Sequence, residues 1–391
     1  MSIRPNPARE SLDGRGEQTM SQLPSPSRRM VIKLGTSTLT AGTTRLSQPL
    51  LVDLVRQIAG LRAAGTEVVL VTSGAVASGR EALSFPQLPK DIPAKQMLAA
   101  VGQPRLMGLY ERLFALYEIT MAQVLLTRTD LDNRRSYLNA RNTLTALLTH
   151  HILPIINEND TVATEEIRVG DNDNLSALVS NLVDAGTLIL LTDQPGVFTA
   201  DPRQDPGARL ITDVTSDEIP ASLWEAAGGT ISALGTGGML TKLQAADLAR
   251  RSGATVIVAR GSDPDVLARI GSGEHIGTRF QALDSAIDSR RRYILAGGTA
   301  GNVLVDDGAA QALRKGGSLL PVGLTGLEGQ FERGDTVRIV DPAGRELARG
   351  IVNYRAADLI RIARHHSDDI EPLLGYHYGD EVIHHNDLVL L

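Results

Sequence analysis

Cysteine is absent from all 391 residues, which excludes disulfides, zinc–thiolate centres, iron–sulfur clusters and a cysteine nucleophile. Aromatic residues amount to only 3%, so Ala, Val, Leu and Ile must fill the core. Long basic runs are missing and the formal net charge is −6, which disfavours nucleic acid or an anionic membrane as the main partner. No apolar stretch reaches the roughly 20 residues of a membrane span. The first 29 residues are rich in Arg, Pro, Ser and Gly and lack the apolar h-region of a secretory signal. Together these absences predict a cytoplasmic location. Residues 1–29 read as a disordered extension, because they offer too little apolar surface to offset the entropy of ordering.

What is present is globular composition, 42% apolar and 21% charged, over a length that fits two domains. From Met30 onward, short apolar runs alternate with helical spacing. Strands are predicted at 30–34, 68–71, 151–157, 188–193 and 255–260, and helices at 48–63, 136–149, 174–185 and 241–252. The strands are continuous apolar runs, as in a sheet buried on both faces. The predicted fold class is therefore α/β, a mostly parallel sheet sandwiched by helices. From about residue 290 the pattern shifts to short strands with glycine turns, NVLVDDGA, GSLLPVGL and GDTVRIVD among them. This predicts a first domain over 30–280 and a small, mainly β domain over 290–391, with a linker around 270–290.

In such sheets ligands bind beyond the carboxyl ends of the strands, and the polar motifs fall there. Glycine and small polar residues cluster at 34–38 (LGTST), 73–79 (SGAVASG) and 235–242 (GTGGMLTK). Loops of this kind let backbone amides approach phosphate oxygens, although one such loop alone is more often an ordinary turn. None of the three has the spacing of a P-loop or a dinucleotide fingerprint. Lys33 ends an apolar strand, where burial without an anion would be costly; a lysine snorkelling at the sheet edge is the plainer alternative. Lys242 follows a glycine loop and opens a helix, where an exposed helix lysine is the alternative. Asn157, Asn159, Asp160, Asp171, Asn172 and Asp173 are dense enough to hold a charged small molecule. Asp173 or Asn174 also reads as the N-cap of the 174–185 helix, and Asp193 as a turn residue. The polar segment TRTDLDNRR at 127–135 reads as a lid, a subunit-contact loop or a solvated connection.

In order, VIKLGTS, VTSGAV, ASGR, INEND, VGDNDNLSA, LLTDQPGVFTADPR and GTGGMLTKLQAA resemble the successive motifs of the glutamate 5-kinase family, which has the amino acid kinase fold. Residues 290–391, with ILAG, GGSLLP, FERGD and LLGYHYG, resemble the PUA domain that many bacterial members carry. The resemblance spans about 30–391, and INEND with GDNDNLSA separates this family from aspartate and acetylglutamate kinases. Pro195 in TDQPGVF departs from the usual pattern and would stiffen that loop. The resemblance implies that Lys33, Thr192, Asp193, Thr236, Gly237, Gly238, Met239, Leu240, Thr241 and Lys242 contact ATP, with Lys33 and Lys242 catalytic. It implies glutamate binding by Ser73, Asp160 and Asn172, and no metal held by protein side chains alone.

The implied reaction is ATP-dependent phosphorylation of the glutamate side-chain carboxylate, giving glutamyl 5-phosphate for proline biosynthesis. The resemblance further implies Mg²⁺ carried with ATP, inhibition by proline, a homo-oligomer, and glutamyl phosphate reductase as a candidate partner. A carboxylate nucleophile is already ionised at neutral pH and needs no general base. The only histidines in 30–270 are His150 and His151, at a predicted helix end. RNA is disfavoured as a partner of residues 290–391, where 14 acidic residues outnumber 12 Lys and Arg.

Overall fold

The structure, a computed structural model, describes residues 29–89, 91–163, 172–228, 238–283, 294–295 and 298–391. The expected extension at 1–29 lies outside these residues except for Arg29, which opens the first strand and pairs with Glu67 at 2.7 Å.

The first part of the chain builds an eight-stranded sheet in the order β3-β4-β2-β1-β5-β7-β8-β6. Its strands are β1 (Arg29–Leu34), β2 (Glu67–Thr72), β3 (Met121–Leu126), β4 (Leu153–Glu158), β5 (Thr187–Thr192), β6 (Asp213–Val214), β7 (Thr255–Arg260) and β8 (Thr278–Phe280). Strands β1 to β5 and β7 pair in parallel, β6 pairs in parallel with β8, and β8 runs antiparallel to β7. Alternate residues of the central strands enter opposite cores. Val31, Val69, Val71, Leu188 and Leu190 join one, while Met30, Ile32, Leu34, Leu70, Ile189 and Leu191 join the other. Both faces of the sheet are therefore buried, as the unbroken apolar runs require.

Helices cover the faces: α1 (Thr36–Leu39), α2 (Gln48–Ala63), α3 (Ala75–Ala82), α4 (Ile92–Ala115), α5 (Arg128–Asp132), α6 (Arg134–Thr149), α7 (Asn172–Leu182), α8 (Ala221–Ala226), α9 (Met239–Arg251) and α10 (Val266–Gly271). Three expectations need correction, and one long helix is absent from them. Helix α7 already includes Asn172, so Asp173 lies inside its first turn and is not its cap. Residues 270–280 are not linker, because β8 is hydrogen-bonded into the sheet. The segment 127–135 is no open loop. Thr127 and Asp130 form a capping box that starts α5, and Asn133 caps α6. Finally, α4 is a 24-residue helix with Pro104 inside it. Its Gly102, with Gly79 of α3, lets the two helix backbones touch. A Cβ at Gly102 would sit 1.8 Å from Ala75 O, and one at Gly79 would sit 1.9 Å from Leu98 O.

The second sheet has the order β10-β9-β11-β12-β13, from β9 (Gly301–Val305), β10 (Leu324–Gly329), β11 (Thr336–Val340), β12 (Glu346–Ile351) and β13 (Leu388–Leu390). It has its own core, including Val303, Leu324, Val337, Ile339, Leu359 and Ile383. This unit docks on α6. Arg141 donates to both carboxylate oxygens of Asp387 at 2.5 and 2.7 Å, Arg134 reaches Asp335 at 3.3 Å, and Arg333 donates to Asn139.

Candidate active site

Val31 and Lys33 share one side of β1, so the lysine at the strand's carboxyl end points toward the helices of the Val31 core, among them α7 and α9. Asp173 in the first turn of α7 meets it there: Lys33 Nζ lies 2.5 Å from Asp173 Oδ1. Lys242 of α9 lies 3.2 Å from Asp173 Oδ2, and the Thr241 hydroxyl donates to the same oxygen at 2.8 Å. Lys33, Asp173 and Lys242 are respectively 5%, 1% and 7% exposed. Burial works against the charge of Asp173, but Lys33 and then Lys242 outweigh it and hold the carboxyl far below its ordinary range. Two ammonium groups are thus aimed at one place by a single carboxylate. Gly35 follows on the same strand end, and a Cβ there would come within 3.3 Å of Lys33 Nζ.

Beside this centre the carboxyl ends of β2 and β4 carry amides and hydroxyls. Asn172 Nδ2 donates to Thr72 O at 2.5 Å, Ser73 Oγ at 3.0 Å and Asn157 Oδ1 at 2.9 Å. Gly74 holds φ of +100° just before α3, a left-handed turn that favours glycine and directs the chain away after Ser73. Asp160 lies two residues past β4, and burial pushes its carboxyl up to about 6. On the other side β5 ends with Thr192, whose hydroxyl donates to Asp193 at 3.0 Å; Thr192 is buried and Asp193 exposed.

Comparisons with known proteins find relatives along most of the chain. Residues 28–260 match the amino acid kinase family and residues 301–374 match the PUA domain. The chain is 56% identical over 366 residues to the glutamate 5-kinase of Shewanella amazonensis, covering 93% of this chain and 96% of that one. It is 55% identical over 364 residues to the glutamate 5-kinase of Deinococcus radiodurans, covering 93% and 100%. It is also 55% identical over 368 residues to that of Photobacterium profundum, covering 94% and 97%. The chain belongs to the glutamate 5-kinase family.

In this glutamate 5-kinase family member the residues expected to act together separate into three places. Lys33 and Lys242 converge on Asp173. Ser73 and Asn172 touch each other, with Asp160 beyond the neighbouring strand end. Thr192 and Asp193 close β5. Thr236 and Gly237 lie outside the described residues, as does Asp171. Gly238 is the exposed N-cap of α9 and Met239 is partly buried behind it. The side chain of Leu240 is buried in the core and the Thr241 hydroxyl is committed to Asp173 and Gly238 O, so both build the site from behind. From the sequence, Asp173 has a helix cap, a group that orients lysines and a metal ligand as open readings, and the fold selects the one that joins the two lysines. The signal was available: two lysines on elements either side of a helix start call for a carboxylate between them.

Proposed function

We propose that this chain transfers the terminal phosphoryl group of ATP to the side-chain carboxylate of L-glutamate, giving L-glutamyl 5-phosphate and ADP as the first step toward proline. The observation that carries the reading is the buried Lys33–Asp173–Lys242 cluster at the strand ends of a glutamate 5-kinase chain.

The chemical difficulty is one anion attacking another. Lys33 and Lys242, held at fixed positions by Asp173, stabilise charge on the transferring phosphoryl oxygens, which act most strongly when that charge is redistributed in the transition state. Asp160 faces the substrate ammonium, and Ser73 and Asn172 hold the same end of glutamate. With the amino acid anchored, its far carboxylate would be free to approach the phosphoryl group, and no proton needs to move before attack. Among the described residues there is no group of three or more His, Asp or Glu side chains that could hold a metal. Asp173 is already committed to lysines. A Mg²⁺ carried in by the ATP phosphates would supply charge neutralisation there.

Free proline shares the α-carboxylate and α-nitrogen of glutamate but lacks a side-chain carboxylate, so we include inhibition by proline in the proposal. A cytoplasmic location, a homo-oligomer and delivery of the labile acyl phosphate to glutamyl phosphate reductase belong to the same reading. No helix among the described residues is long and apolar enough to cross a membrane. The C-terminal sheet favours no RNA role. Its cleft of about 680 Å³ is lined by Asp306, Asp307, Glu328, Asp341 and Glu346, against Arg338.

The test is ADP release with Mg²⁺-ATP and L-glutamate, L-aspartate or N-acetylglutamate in parallel, with the acyl phosphate trapped by hydroxylamine. Glutamate should be the preferred acceptor and proline should inhibit. A preference for aspartate or N-acetylglutamate would overturn the reading.

A further inference from the structure

Behind the carboxyl ends of β2 and β4 runs a chain of amides, two of which have their orientation fixed by backbone groups. The Glu158 N–H donates to Asn157 Oδ1 at 3.0 Å. A backbone N–H can only donate, so this oxygen is assigned without ambiguity and the nitrogen of Asn157 must face the other way. There it donates to Gln103 Oε1 at 2.7 Å, and Gln103 Nε2 donates in turn to Gln123 Oε1 at 3.2 Å. At the other end Asn172 places its nitrogen toward Asn157 Oδ1 and toward the Thr72 carbonyl, which can only accept. The side-chain nitrogen of Asn172 is therefore spent on Thr72, Ser73 and Asn157. Its carbonyl oxygen is turned away from them and has no partner among the described residues.

We propose that Gln103 is a positioning residue for the glutamate site: it holds Asn157, and through it Asn172, so that Asn172 presents an acceptor to the ammonium of the substrate. This inference rests on the proposed glutamate reaction and names the feature of the substrate that the relay reads. Gln103 suits the task because its neighbour Gly102 packs α4 against the backbone of Ala75, two residues from Ser73, which leaves Gln103 little freedom to shift. An acceptor held in place recognises a free ammonium group. A substrate lacking that group makes no use of it.

The experiment compares L-glutamate with glutarate, which is glutamate without its amino group, as substrate or competitive inhibitor. In Gln103→Met the nitrogen of Asn157 loses its acceptor. The KM for glutamate should rise about tenfold, with kcat, the KM for ATP and the response to glutarate changed by less than about twofold. Gln103→Glu keeps an acceptor for Asn157 and should restore the glutamate KM. Gln123→Leu, at an exposed position, should give the same selective loss at about threefold, and it carries the test if Gln103→Met does not fold. Equal losses for glutamate and glutarate, or a fall in kcat with an unchanged glutamate KM, would overturn the role of Gln103. Failure of the parent chain to phosphorylate glutamate would instead overturn the proposed function, so the two failures are distinguishable.

Discussion

The two sheets bury carboxylates for different ends. In the first, Asp173 of α7 stands between Lys33 and Lys242 with Thr241 beneath, and its partners come from a strand and a second helix that meet it only in the folded chain. In the second, Asp341 is served mainly by its own turn, with Arg314 adding a longer contact at 3.6 Å. Its Oδ1 accepts from the backbone of Ala343 and Arg345, both at 3.0 Å, and its Oδ2 takes the Arg345 guanidinium at 2.9 Å. Asp358 pairs with Arg355 three residues away and also takes the Tyr376 hydroxyl. A carboxylate satisfied within its own turn stabilises that turn. One satisfied by distant lysines fixes where those lysines point, and that is what a phosphoryl-transfer site requires.

Substitutions can sharpen this contrast. Asp173→Ala should have the largest effect, because it removes the group that positions both lysines; a fall in kcat of about a thousandfold is expected by single-turnover assay. Lys242→Ala should lower kcat by roughly a hundredfold while changing the KM for ATP far less, since a contact tightened in the transition state acts on the barrier. A near-normal kcat would remove Lys242 from the mechanism. Asp160→Ala should raise the KM for glutamate about tenfold and leave that for ATP nearly unchanged. In the parent enzyme this carboxyl, pushed up to about 6 by burial, is ionised above that pH and must shed a proton to receive an ammonium below it. The glutamate KM should therefore climb as pH drops below about 6, and Asp160→Asn should flatten that climb. On the other side of the comparison, Asp387→Ala leaves Arg141 at the seam between the sheets with the longer contact to Asp184 at 3.9 Å and should cost about 3 kcal/mol of stability in chemical denaturation. Its kcat should be unaltered. Asp341→Ala should cost about 1 kcal/mol and change no kinetic constant.

Much of this was legible in the sequence. The helix over 48–63 and the strands near 30–34 and 255–260 follow from apolar spacing alone, because burial on both faces leaves no room for polar interruptions. The lysines were legible as costly cations at element ends. Asp173 is ambiguous in sequence because an acidic residue near a helix start has a sufficient local explanation, and the tertiary fold decides for the lysines. Helix α4 escaped notice because Gly102 and Pro104 punctuate it. The same glycine that reads as a breaker in one dimension is what allows α3 and α4 to touch in three. The segment 127–135 reads as an open loop because its charges are dense, yet the side chains of Thr127 and Asp130 each accept from the other's backbone N–H. Gln103 carries no sequence signal, since its role depends on amides contributed by β4 and α7.

The alternation along β1 makes the strand a counting device. Val31 and Lys33 face one core, Met30, Ile32 and Leu34 the other. Removing or adding a single residue upstream of Lys33, while the neighbouring strands keep their register, would swing the ammonium to the opposite side of the sheet, away from Asp173. The strand can thus exchange one apolar side chain for another with modest cost, but its length is quantised in pairs. Insertions and deletions here are filtered by parity before they are filtered by size.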